Sequence, residues 1–138
     1  MTSTDMSRVA DELAIRNVIA RIARLADQGD LEEYVDQFTE DALWNFPPGP
    51  RKGRADILAG ARERRASGTT GPGSRARHQI TTIEVDVHED GTATADSYLA
   101  FIVNKPDGPS IAVSGSYHDT FVREGSRWRL ARRDVDND

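Results

Sequence analysis

The chain has 138 residues, enough to bury one core without help from metals or disulfides, and its 37% hydrophobic content suits one folded domain over residues 1–138. It contains no cysteine, which excludes disulfides, thiolate nucleophiles and Cys-ligated zinc or iron–sulfur centres. Eighteen basic against 23 acidic side chains leave a net charge of −5, which argues against nonspecific nucleic-acid binding.

The opening Met1-Thr2-Ser3-Thr4-Asp5 lacks the basic-then-apolar pattern of a signal peptide. No apolar run approaches the ~18 residues of a membrane helix, so a cytoplasmic protein with no membrane association is expected. From Val9 to Ala26 the apolar residues Ile15, Val18, Ile19, Ile22, Leu25 and Ala26 recur at helical spacing. Gly29 predicts the stop. Asp30 then predicts the N-cap of a short second helix, with Glu33 at the capping-box position. Leu31, Tyr34, Val35 and Phe38 form its expected buried stripe. A strand is predicted over Ala42–Phe46, broken by Pro47-Pro48-Gly49-Pro50. Arg54–Arg65 reads as a third helix with Ile57, Leu58 and Ala61 inward. The arginines of Arg62–Arg65 and Arg127–Arg133 read as a solvated helix face and strand edge. Ser67–Ser74 holds only Ser, Gly, Thr and Pro and predicts a flexible connection that could cover a site.

Beyond it the period changes. His78–Val87, Ala93–Asn104, Ser110–Arg123 and Arg127–Val135 are rich in β-branched and aromatic residues. Short turns separate them, which predicts an antiparallel meander. Helices first and a meander second make an α+β fold, with the long helix packed on one face of a bent sheet.

The local wording in that order resembles the SnoaL-like, nuclear-transport-factor-2-like superfamily, which includes scytalone dehydratase, hexachlorocyclohexane dehydrochlorinase and, more distantly, ketosteroid isomerase. The phrases are Leu13-Ala14-Ile15, Asp27-x-x-Asp30, Phe38-Thr39-Glu40-Asp41-Ala42, Gly115-Ser116-Tyr117-His118-Asp119-Thr120-Phe121 and Gly125-Ser126-Arg127-Trp128. The resemblance implies a conical cup: a strongly curved, mostly antiparallel sheet packed with one long N-terminal and two shorter helices. It also implies a general-base histidine, matched by His78, and an aspartate that orients it, matched by Asp27. Trp44 matches a pocket tryptophan of the dehydrochlorinase, and Arg133 its anion-facing arginine, unless a bulge brings Arg132 there instead. Ile22 stands where that enzyme has a polar catalytic side chain, and the second histidine of the dehydratase has no counterpart on the strand Ala93–Asn104.

A histidine whose one ring nitrogen is held by a carboxylate keeps the other free to take a proton near neutral pH. Asp27 and His78 therefore read either as such a pair or as a helix-end residue and a core histidine. His88 belongs to a turn and His118 alternates outward, so no metal site is expected. Tyr98 is the expected pocket hydrogen-bond donor, or else it packs at the helix interface. Tyr117, Trp44 and Phe46 line either pocket or core, and Arg133 faces either a developing anion or a surface partner. No Gly-rich phosphate loop, Gly-x-Ser-x-Gly or HExxH occurs.

The expected function is a cofactor-independent pocket enzyme, a lyase (dehydratase type) or isomerase. It would abstract a proton from a small, largely apolar molecule with Asp27, His78 and Arg133. The alternative is a non-catalytic small-ligand binding or accessory protein of the same fold. The resemblance also implies a homo-oligomer, dimer or trimer, built on the open sheet face.

Overall fold

The computed structural model describes residues 2–47 and 49–137; Met1, Pro48 of the predicted proline break and Asp138 lie outside the described residues. Helix α1 spans Ser3–Gln28, six residues longer at its start than the apolar pattern predicts. The extension follows from a capping box: Thr2 Oγ1 accepts from the Asp5 amide at 3.1 Å, and the Asp5 carboxylate accepts from the Thr2 amide at 3.2 Å. Ile15, Val18, Ile19 and Ile22 form the buried stripe of α1. Gly29 ends the helix because its backbone passes close to the last turn. A Cβ there would lie 2.8 Å from Leu25 Cα.

Asp30 caps α2 (Leu31–Asp36), but its carboxylate accepts from the amide of Glu32. The capping box expected with Glu33 does not form, and a single side-chain acceptor starts this one-turn element. Tyr34 and Val35 are buried on it. Phe38 is buried too, but it opens β1 (Phe38–Asn45), four residues earlier than predicted. A two-residue β2 (Arg51–Lys52) pairs antiparallel with β1, and α3 (Gly53–Ala66) follows with Ile57 and Ala61 inward.

The meander forms as β3 (Arg77–Val87), β4 (Thr92–Lys105), β5 (Gly108–Glu124) and β6 (Arg127–Asn137). The sheet order is β2-β1-β6-β5-β4-β3, and only the β1–β6 pairing is parallel. Register shifts interrupt the ladders at Thr81/Glu84, Phe101/Ile102 and Thr120/Phe121. Each bends its strand and adds twist, which curves the sheet around the helices. The core fills the concave side, where Ile15, Ile19, Phe38, Ile57, Phe121 and Leu130 are almost completely buried.

The connection Ser67–Ser74 turns back onto the end of α3. The amides of Thr69 and Thr70 both donate to the carbonyl of Arg64, at 3.0 and 3.3 Å, and Thr70 is buried. Gly71 has φ +106° and leaves space that a side chain would lack, since a Cβ there would sit 2.9 Å from Arg65 Cδ.

Candidate active site

β3 is an edge of the sheet and packs against α1, so its outward backbone groups have no strand partner. Asp27, in the last turn of α1, fills that edge. Its two carboxylate oxygens each accept from the His78 backbone amide at 3.1 Å. One of them also lies 2.6 Å from His78 Nδ1. A carboxylate at Nδ1 assigns the ring proton to that nitrogen and leaves Nε2 as the acceptor. Both side chains are largely buried, 13% exposed for Asp27 and 20% for His78. The ring of Phe101 packs against the imidazole with centroids 4.5 Å apart, which limits its rotation.

The helix end that carries Asp27 has no basic residue in its last turn. Arg65, reaching over from α3, supplies the missing charge: its Nη2 donates to the carbonyls of Gly29, Leu25 and Ala26 at 2.8, 2.9 and 3.3 Å. A cation at these unpaired carbonyls complements the negative end of the helix dipole. Sequence reading missed this role, because nothing local to Arg65 marks a partner 40 positions away.

His78 borders two spaces. One is an open groove of about 490 Å³ between the second half of α1, the turn at Gly71 and Pro72, and β3. Its floor includes Ile19, Ala23, Ile80 and Ile83, and its rim carries Arg24, Arg75 and Arg77. The other is an inner cavity of about 10 Å³, room for about one water, lined by Ile22, Tyr34, Trp44, Tyr117 and Arg133 among others. Trp44 Nε1 is buried and has no hydrogen-bond partner among the described residues.

Arg133 is the arginine that turns inward; Arg132 is exposed and pairs with Asp134. The Arg133 guanidinium lies over the Tyr117 ring, 3.8 Å from its centroid, and is held by Asp119. Burial alone would lower its pKa, but the charge and hydrogen bonds of Asp119 raise it above the usual arginine range. Burial raises the pKa of Tyr117 as well, so its phenol stays protonated at any physiological pH. Asp119 was missed as a site residue, although its alternation with Tyr117 and Phe121 placed a carboxylate on an aromatic face.

The structure therefore brings Ile22, Asp27, Trp44, His78, Tyr117 and Arg133 to one end of the cup. It does not bring Tyr98 there. Ser97 and Leu99 point inward, so Tyr98 points outward and is 57% exposed, which corrects the pocket donor expected there. Phe46 borders neither space and packs against Trp44, with ring centroids 5.4 Å apart. His118 faces solvent, 2.6 Å from Asp96, and His88 sits in the β3–β4 turn. Among the described residues, no cluster of His, Cys, Asp or Glu could hold a metal ion, and no helix is long and apolar enough to cross a membrane.

A family model described as a SnoaL-like domain matches residues 7–134. No curated protein matches the chain in sequence. Among solved structures, a protein of unknown function from Mycobacterium tuberculosis is 26% identical, with TM-score 0.87, covering 100% of this chain and 77% of that one. A nuclear-transport-factor-2-like protein with a cystatin-like fold from Novosphingobium aromaticivorans is 26% identical, with TM-score 0.86, covering 96% and 85%. A Catenulispora acidiphila protein in complex with S-DNPA is 28% identical, with TM-score 0.80, covering 94% of each chain.

Proposed function

Because the chain belongs to the SnoaL-like family, we propose that it is a cofactor-independent pocket enzyme, a lyase or isomerase, that abstracts a proton from a small molecule lying in the groove. The observation that carries this reading is the 2.6 Å contact between Asp27 Oδ1 and His78 Nδ1. It fixes the tautomer in which Nε2 can accept a proton, and the ring is buried enough to be shielded yet borders the groove. His78 takes the proton, and Asp27 holds the ring and stabilises the imidazolium that forms.

Arg133 then has a narrower role than a free cation would. Its charge is matched by Asp119, so it offers the inner cavity a hydrogen-bond donor rather than a full positive charge. Nε and Nη2 are taken by Asp119, and Nη1 has no partner among the described residues. With the unpartnered Nε1 of Trp44, it supplies donors for a developing oxyanion. Tyr117 and Ile22 close the cavity around them.

A second reading is favoured by one observation. Asp27 also satisfies the His78 backbone amide, so the pair ties the sheet edge to α1 whether or not any chemistry follows. On that reading the protein binds a small ligand unchanged. The Catenulispora relative, solved with S-DNPA, fits either reading, since a complex shows a pocket and not a turnover.

Incubating the protein in D₂O with small carbon acids separates the two. Deuterium incorporation that disappears in His78→Gln supports proton abstraction. A ligand that stabilises the fold but exchanges no proton supports the binding protein. A cytoplasmic homo-oligomer, dimer or trimer, of a one-domain chain completes the proposal.

A further inference from the structure

Most arginines in this protein are occupied. Arg51, Arg62, Arg127, Arg129, Arg132 and Arg133 sit on carboxylates. The guanidiniums of Arg24, Arg75 and Arg77 have no hydrogen-bond or ion-pair partner among the described residues, and all three side chains belong to residues lining the same groove. The only carboxylate in that lining is Asp27, which is engaged by His78. A chain of net charge −5 thus concentrates three unmatched guanidiniums at the mouth of the space that reaches its histidine.

The backbone shows that one of them is held there at a cost. Arg75 has φ +58°, a left-handed conformation that non-glycine residues rarely adopt. It is held from both sides. The Arg75 carbonyl accepts from Asn104 Nδ2 at 2.8 Å, and the next amide, of Ala76, donates to Ser74 Oγ at 3.1 Å. Strain of this kind persists where the surroundings enforce it, and it gathers at ligand clamps. Here it sets the side chain two residues from Arg77, on the groove rim.

We infer that the groove takes a small organic anion, whose carboxylate or phosphate sits on Arg24, Arg75 and Arg77 while its apolar body lies over Ile19, Ala23, Ile80 and Ile83 toward His78. The inference rests on the proton-abstraction reading only for what happens at the inner end; the anion subsite stands on its own charges. Guanidinium forks match carboxylate and phosphate oxygens in pairs, and an apolar floor beneath a cationic rim suits an amphiphilic acid. The anion also orients the substrate, so that the end away from the charge meets Nε2.

Calorimetric titration tests this with benzoate, its neutral counterpart benzamide, and inorganic phosphate, at constant ionic strength. Benzoate should bind saturably and benzamide at least tenfold more weakly. Arg75→Gln combined with Arg77→Gln should weaken benzoate tenfold or more. Arg8→Gln combined with Arg16→Gln, the same charge change elsewhere on the surface, should not. Unfolding midpoints of both double variants show whether the fold is intact, and Arg24→Gln combined with Arg77→Gln, which leaves the left-handed Arg75 in place, serves where it is not. Equal binding of benzoate and benzamide, equal loss in the two double variants, or binding of phosphate without benzoate would overturn the inference. Repeating the titration in His78→Gln keeps the two readings apart. Benzoate affinity retained there supports the anion subsite even if no proton transfer is ever found.

Discussion

Asp119 holds Arg133 side-on, its two oxygens 2.8 Å from Nε and 2.9 Å from Nη2, with both side chains almost fully buried. The two charges are separated from water by the rest of the cup wall and depend on each other. Breaking a buried pair by removing one partner leaves an uncompensated charge, which costs more than the pair contributes. Asp119→Ala should therefore lower unfolding stability by about 3–5 kcal/mol in urea titration. Replacing both partners, Asp119→Leu with Arg133→Met, should recover much of that loss. A single variant within about 0.5 kcal/mol of wild type, the range of an ordinary surface change, would show that the pair is not buried in solution.

Arg65 should matter more than its place in a run of surface arginines implies. Hydrogen bonds from a charged donor contribute about 1.5–3 kcal/mol, and Arg65 makes them at the carbonyl end of α1. Arg65→Met should destabilise the protein by about that much and raise amide exchange in the last turn of α1. Unchanged exchange around Asp27 would separate Arg65 from the placement of that carboxylate.

His118 gives a pH prediction away from the groove. The Asp96 carboxylate 2.6 Å from Nδ1 raises its pKa above the ordinary histidine value of 6.5. The folded value is the higher one, so the pair's contribution is complete below about pH 6.5 and is lost as pH rises through the raised pKa. Both side chains are more than half exposed, so the effect on stability stays below about 1 kcal/mol. An NMR titration should place His118 above 6.5, and Asp96→Asn should return it toward that value.

Assembly is the fourth expectation. Tyr98 is 57% exposed and Ile111 is 61% exposed, with Ile102 half-buried, on the strands β4 and β5. Light scattering at micromolar concentration should show a dimer or trimer, and Ile111→Glu should shift it toward monomer. A wild-type monomer would remove the oligomer from the account.

Much of this architecture was legible in the sequence, because it is written in local periods. The 3.6-residue recurrence of Ile15, Val18, Ile19 and Ile22 marked α1 apart from its first six residues, and the β-branched runs with their turns marked the meander strands to within two. What escaped was set by contacts distant in sequence. β1 starts at Phe38 because Phe38 pairs with Leu130 of β6, a partner no local pattern names. The face shown by Tyr98 depends on which side of β4 faces the core, and alternation alone gives both answers. For the site, the resemblance singled out Asp27 and His78, and the structure places them in contact. Alternation put Asp119 on an aromatic face, but its partner Arg133 comes from another strand, and Arg65 was invisible because it acts on carbonyls contributed by α1.

The central claim is that Asp27 and His78 act together to abstract a proton, and a turnover measurement on four proteins tests it most directly. Wild type, His78→Gln, Asp27→Asn and the double variant should be assayed on whichever carbon acid exchanges deuterium fastest. Each single change should lower turnover by about 10²–10⁴, the usual contribution of a positioned base, with the fold intact. The double variant should be scarcely slower than either single, since the two side chains form one unit. Unchanged turnover in His78→Gln would contradict the account and leave Asp27 as the clasp between α1 and the sheet edge.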